Sequence, residues 1–256
     1  MLHNLPKPTI FAHRGASAYA PENTLAAFSL AVDQAADALE MDAKLTADGH
    51  VVLFHDQSLE RITGHPGRVN ALNLDDLCKF DAGIHFDKDF IGERIPTLNQ
   101  VFETIERRCY YNLELTNYAS PFDDLPDKVV SLVQEHQLED YVFLSSFNPL
   151  ALLRTKRLLP GAPVALLAQA GRSGTWARSQ LGYLLSYQAL HISFEDANRE
   201  IVEKTHRRKC RLHTYTVNQA DEMRCQIEMG VDGIFTDDPR LAKEIIMPDY
   251  VSEHIH

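Results

Sequence analysis

The chain has 256 residues, 45% hydrophobic and 24% charged, and its 25 basic against 36 acidic side chains leave a formal net charge of −11. That apolar fraction excludes a disordered chain. The acidic balance argues against nucleic acid or an anionic membrane as a partner, since both demand a basic face. No apolar run approaches the ~20 residues that span a bilayer, and residues 1–8 carry neither a basic n-region nor an apolar h-region. A cytoplasmic location is therefore expected. Cys78, Cys109, Cys210 and Cys225 form no C-x-x-C pair and are expected to be free thiols.

Short β-rich runs alternate with amphipathic helical stretches, the pattern of a parallel sheet built from βα units. Strands are predicted at 9–12, 38–42, 51–54, 111–115, 142–145, 164–167, 190–193, 212–217 and 233–236. Helices are predicted at 23–35, 98–107, 125–136, 149–159, 199–208, 220–229 and 240–246. Asn148-Pro149 and Asp238-Pro239 each place a capping side chain before a proline at the first helical position. The link between 38–42 and 51–54 is too short for a parallel crossover of about a dozen residues. Asp48-Gly49 signals a two-residue hairpin loop instead. The run 51–54 is then an antiparallel addition to eight parallel strands.

The stretch 59–96, with Gly64, Gly67, Gly83 and Gly92 and little periodicity, reads as a small insertion covering one end of the fold. No repeat or low-complexity linker divides the chain, so residues 1–256 are expected to form one domain. Its length is near the ~250 residues of a (β/α)8 TIM barrel. An open doubly wound sheet is the alternative. It would usually carry a glycine-rich phosphate loop, and neither G-x-G-x-x-G nor G-x-x-x-x-G-K occurs.

In a parallel barrel the active site lies at the carboxyl ends of the strands. His13-Arg14-Gly15 follows the first strand. Glu40 and Asp42 are two apart on the second and project to one face. A two-residue Asp48-Gly49 loop would pair Ala47 with His50, Leu45 with Val52 and Asp42 with His55, bringing His55 level with the carboxylates. Glu114 ends the next parallel strand, about 4.8 Å away, and completes a three-carboxylate cluster. Carboxylates so crowded are tolerable around a hard divalent cation. Arg14 offers a planar fork for an anionic group. His13 and His55, with ordinary pKa values of about 6.5, can divide acid and base roles near neutral pH. The assembly suits phosphodiester cleavage.

His13-Arg14-Gly15, Pro21-Glu22-Asn23-Thr24, Glu40-x-Asp42, Asp48-Gly49 and His55-Asp56 resemble the signature of the glycerophosphodiester phosphodiesterase family, bacterial type. Arg61-Ile62-Thr63-Gly64, Asp81-Ala82-Gly83, Ile95-Pro96-Thr97-Leu98, Ser145-Ser146-Phe147-Asn148-Pro149, Tyr215-Thr216-Val217-Asn218 and the segment 230–237 recur in the family's order. The resemblance covers nearly the whole chain. It implies a TIM barrel that uses Ca²⁺ or Mg²⁺ to hydrolyse glycerophosphodiesters to glycerol 3-phosphate and an alcohol. On this resemblance Glu40, Asp42 and Glu114 are the metal ligands, His13 and His55 the acid–base pair, and Arg14 the phosphate contact. Phe147 and Tyr215 are expected to wall the substrate, Tyr215 standing where many members have Trp. The family often has Lys two residues after the third carboxylate, where this chain has Thr116.

The remaining charged segments read as structural. Asp123-Asp124 is acidic charge at a helix start, and the run 206–209 is a solvated helix end. His254 and His256 are expected to be disordered. The substrate is expected to be a small glycerophosphodiester; the residues leave the oligomeric state open. An enzymatic alternative takes a lysophospholipid or another phosphodiester, for which an apolar surface near the mouth is needed. A barrel that binds glycerophosphodiesters without turnover is the alternative from another class.

Overall fold

A computed structural model describes residues 2–247; His254 and His256 lie outside them. The strands are β1 Thr9–Ala12, β2 Ala38–Leu45, β3 Val51–Leu53, β4 Tyr110–Leu115, β5 Val142–Ser146, β6 Val164–Ala168, β7 Ala189–Ser193, β8 Arg211–Tyr215 and β9 Gly233–Thr236. Eight of them run parallel in the order β1-β9-β8-β7-β6-β5-β4-β2, and β1 closes on β2. This is the TIM barrel, with β3 as the one antiparallel addition on β2. Strand β2 is long enough to serve two neighbours on one edge. Its first residues pair with β1, as Phe11 with Ala38 and Ala12 with Leu39, and its last with β3.

The hairpin register differs from the sequence expectation by one residue. Ala43 faces Leu53, Lys44 faces Val52 and Leu45 faces Val51. The loop holds three residues rather than two: Thr46 N–H donates to His50 O, Gly49 N–H donates to Thr46 O, and Gly49 sits at φ +80°. That is a tight turn followed by a left-handed residue, which an Asp-Gly pair also suits. Asp42 therefore stands opposite Phe54, whose N–H donates to Asp42 O, and not opposite His55.

Alternation along the strands separates two apolar regions. Leu39, Met41 and Ala43 of β2 point outward and pack with the surrounding helices, including Phe28, Phe102 and Val129. The inward positions Phe11, Ala38, Phe143, Ala165, Ala189 and Phe235 fill the barrel, with Leu2 and Leu5 at its base. Helix starts follow the sequence signals: Thr24 caps Leu25–Asp33, Asn148 caps Pro149–Leu158, and Asp238 caps Pro239–Ile246. Asn23 is not helical as predicted. It sits at φ +57° and serves the site described below.

Residues 59–96 share a small core with β3 and the residue after it, made of Val52, Phe54, Leu59, Ile62, Val69, Leu77, Ala82 and Ile95. It flanks the mouth, where Arg61 reaches Glu22 and Asp56. All four cysteines are free. No helix among the described residues is long and apolar enough to cross a membrane. His206 pairs with Asp232 at 2.7 Å, and Asp123 accepts Leu125 N–H at the start of Leu125–Glu135.

Candidate active site

Glu40 and Asp42 project from consecutive inward positions of β2, and Asp42 is the direct register partner of Glu114 on β4. Carboxylate oxygens of the three lie within 4.8 Å of one another. Glu40 and Asp42 are buried, Glu114 partly so. Burial, then the charges of Asp42 and Glu114, pushes the Glu40 carboxyl well above the usual range. Burial and Asp42 push Glu114 up to about 8. The Tyr118 hydroxyl donates to Glu114 Oε1.

The loop after β1 holds the cluster from one side. Arg14 N–H donates to Glu40 Oε2 at 2.9 Å, with Arg14 at φ +58°. Gly15 follows at φ +88°, where an added Cβ would lie 2.7 Å from the Ala27 backbone. No other residue fits there without moving that helix. Asn23 clamps Asp42 twice: its Nδ2 donates to Asp42 Oδ2 at 2.9 Å, and Asp42 N–H donates to Asn23 Oδ1 at 3.2 Å. The Arg14 fork is already engaged, with Nη1 on Glu22 at 2.9 Å and Nε 3.4 Å from Asp42 Oδ2. Glu22 also takes two bonds from Arg61.

Each histidine is backed by an aspartate. His13 Nδ1 lies 2.6 Å from Asp237 Oδ1, and Asp237 also accepts Asn218 Nδ2 and Ser17 Oγ. Burial would raise the Asp237 carboxyl, but these donors hold it low. His55 Nδ1 lies 2.7 Å from Asp56 Oδ1, and Arg61 Nε donates to Asp56 Oδ2 at 2.6 Å. Against burial, Arg61 and His55 hold Asp56 at about 2. With Nδ1 donating to a carboxylate, Nε2 is the nitrogen left for chemistry.

A cavity of about 330 Å³ is lined by all eight residues singled out from the sequence: Glu40, Asp42 and Glu114, His13 and His55, and Arg14, Phe147 and Tyr215. His55 lines it despite the shifted register. Tyr118, Phe147 and Tyr215 form an aromatic wall, with edge-to-face contacts at 5.7 and 6.4 Å between ring centres. Sequence reasoning missed Asp237, the Asn23 clamp and Lys44. Lys44 follows Asp42 by two on β2, and its buried Nζ donates to Thr116 Oγ1 at 2.7 Å. An ammonium thus stands beside Thr116 after all, delivered by the neighbouring strand. The signal was there in the inward parity of position 44.

Fold and mouth together define a class: a TIM barrel with an acidic triad beside two aspartate-backed imidazoles. The family model described as the glycerophosphoryl diester phosphodiesterase family matches residues 13–241. A glycerophosphodiester phosphodiesterase of Caldanaerobacter subterraneus subsp. tengcongensis is 37% identical over 234 residues, 91% of this chain and 95% of its own. One from Bacillus altitudinis is 32% identical over 242 residues, covering 92% and 97%. The structure of an Oleispira antarctica phosphodiesterase in complex with the product sn-glycerol-3-phosphate matches with a TM-score of 0.87 at 29% identity, covering 94% of this chain and 97% of that one. The chain belongs to the glycerophosphoryl diester phosphodiesterase family.

Proposed function

We propose that the protein hydrolyses glycerophosphodiesters to glycerol 3-phosphate and an alcohol, using a divalent cation and the histidines His13 and His55. The observation that carries this reading is the meeting, in one cavity, of three crowded carboxylates and two imidazoles each oriented by its own aspartate.

The donor set is all oxygen and suits a hard cation, Ca²⁺ or Mg²⁺. Burial and mutual repulsion lift two of the three carboxyls, a cost that a cation between them relieves. Glu40, Asp42 and Glu114 would hold that ion, which supplies charge neutralisation at a phosphoryl oxygen. The protein's own groups do the rest. One imidazole Nε2 takes the proton of the attacking oxygen, either of water directly or of the glycerol's neighbouring hydroxyl with water then opening the cyclic phosphate, and the other, protonated, gives one to the departing alkoxide. Asp237 and Asp56 fix the Nδ1–H tautomer that leaves each Nε2 available and stabilise each ring when it is charged. Lys44 and Arg14 add positive charge beside the anionic diester.

Release of glycerol 3-phosphate from glycerophosphocholine tests this, with Ca²⁺ or Mg²⁺ added and then chelated. Turnover should require the ion, and His13→Ala or His55→Ala should each lower kcat by about 10²–10⁴-fold with the fold intact. Near-normal activity in either variant refutes the paired-histidine mechanism. Running lysophosphatidylcholine alongside identifies the acyl-chain substrate, should that be preferred.

A further inference from the structure

Beneath the carboxylates, the floor of the cavity carries two polar side chains that nothing in the reaction scheme uses. Asn112 stands opposite Glu40 in the β2–β4 register, two residues before Glu114. His191 comes from the inward face of β7. Both line the cavity, with exposures of 1% and 0%. Asn112 Oδ1 and His191 Nδ1 have no hydrogen-bond partner among the described residues. Buried polar atoms are rarely left so, because each forfeits its hydration without replacement.

The two groups are held rather than loose. His191 Nε2 lies 3.1 Å from His213 Nδ1, and the His191 ring packs against Phe235 and His213 at 4.8 and 5.0 Å between centres. Burial lowers the pKa of both rings, so both are neutral at pH 7. If His213 donates to His191 Nε2, then His191 Nδ1 carries a proton and is a donor. Asn112 offers both an acceptor and a donor. Leu167 and Phe235 supply apolar surface around them. An apolar floor with a few fixed polar groups is how proteins orient small ligands. The ligand chemistry it fits is a short carbon chain bearing hydroxyls.

We propose that Asn112 and His191 form a hydroxyl-reading floor that selects the glycerol end of the diester, an inference that rests on the proposed function. With its Nδ1–H donating to His191 Nε2, His213 would act as a positioning residue for the His191 tautomer. A buried site built to bond a hydroxyl rejects the analogue lacking it strongly, because its own polar groups are then left unpaired.

Calorimetric titration with sn-glycerol 3-phosphate and with n-propyl phosphate, which lacks both hydroxyls, tests the floor in Ca²⁺-containing buffer. The unaltered protein should bind the glycerol ester at least about tenfold more tightly. Asn112→Leu and His191→Leu should bring that ratio towards one, by weakening the glycerol ester while leaving propyl phosphate within about threefold. His191→Gln, which keeps a donor, should retain part of the preference. A ratio unchanged in both Leu variants overturns the proposal. So does equal affinity for the two esters in the unaltered protein, a measurement that needs no variant to fold. Failure of the underlying reading looks different: the unaltered protein then releases no glycerol 3-phosphate from glycerophosphocholine with either ion.

Discussion

Replacing Lys44 by Met should move activity and stability in opposite directions. Lys44 is 6% exposed, and its one hydrogen bond among the described residues goes from the ammonium to a neutral hydroxyl, Thr116 Oγ1. Burial pulls its pKa down, and Asp42, Glu114 and Asp56 compensate only in part. A charge so placed costs stability. Met has similar length and no charge, and Thr116 Oγ1 keeps its bond to Ala43 O at 2.7 Å, so no donor is orphaned. The variant should gain about 1 kcal/mol, or roughly 2–4 °C in Tm. Lys44 does not line the 330 Å³ cavity, so on the proposed reading it acts on the diester as a nearby charge; losing about 1–2 kcal/mol of such an interaction should lower kcat/KM about 5- to 30-fold. Melting curves and glycerol 3-phosphate release read the two effects separately. The double variant Lys44→Met with Thr116→Lys, which moves the ammonium to the adjacent strand, should recover much of the loss. A Lys44→Met protein with activity within about threefold of the parent, or one that melts several degrees lower, refutes the reasoning.

Asp237→Asn should cut kcat by about 10²–10⁴-fold with little change in KM, since the amide no longer enforces the Nδ1–H tautomer of His13; a change below threefold would show that His13 needs no orienting carboxylate. Asp56 in the folded protein titrates at about 2, below the ordinary ~3.9 of a free aspartate. Its contribution is therefore whole above about pH 4 and disappears as pH falls through about 2. Melting temperatures of parent and Asp56→Asn should converge over that window, and a gap that stays constant with pH argues against it. Gly15→Ala forces a Cβ to within 2.7 Å of the Ala27 backbone at a φ of +88°. It should cost about 2–4 kcal/mol and, by displacing Arg14, loosen Glu40; an unchanged melting temperature would contradict this.

The barrel was legible because its evidence is local. Strand-length apolar runs alternate with helical periodicity, and a short link exposes β3 as the addition. The carboxylate cluster was legible for a related reason: spacing by two along β2 fixes a common face, and parallel register fixes the neighbour on β4. The hairpin register was not, because Asp-Gly suits a two-residue loop and equally a three-residue loop ending in a left-handed glycine. Asp237 lies 224 residues from His13 and meets it only through barrel closure of β9 on β1. No local pattern reports such a pairing.

Lys44 shows a subtler limit. Read along one strand, Thr116 is the loss of a cation. In the folded sheet β2 and β4 lie side by side, so a charge deleted from one can be supplied by the other at nearly the same point in space. What a site needs is charge at a position, and closed parallel register lets either neighbouring strand provide it. A departure at one residue of a motif is therefore read together with the same level of the adjacent strand, and here Lys44, two residues after Asp42, sets an ammonium beside Thr116.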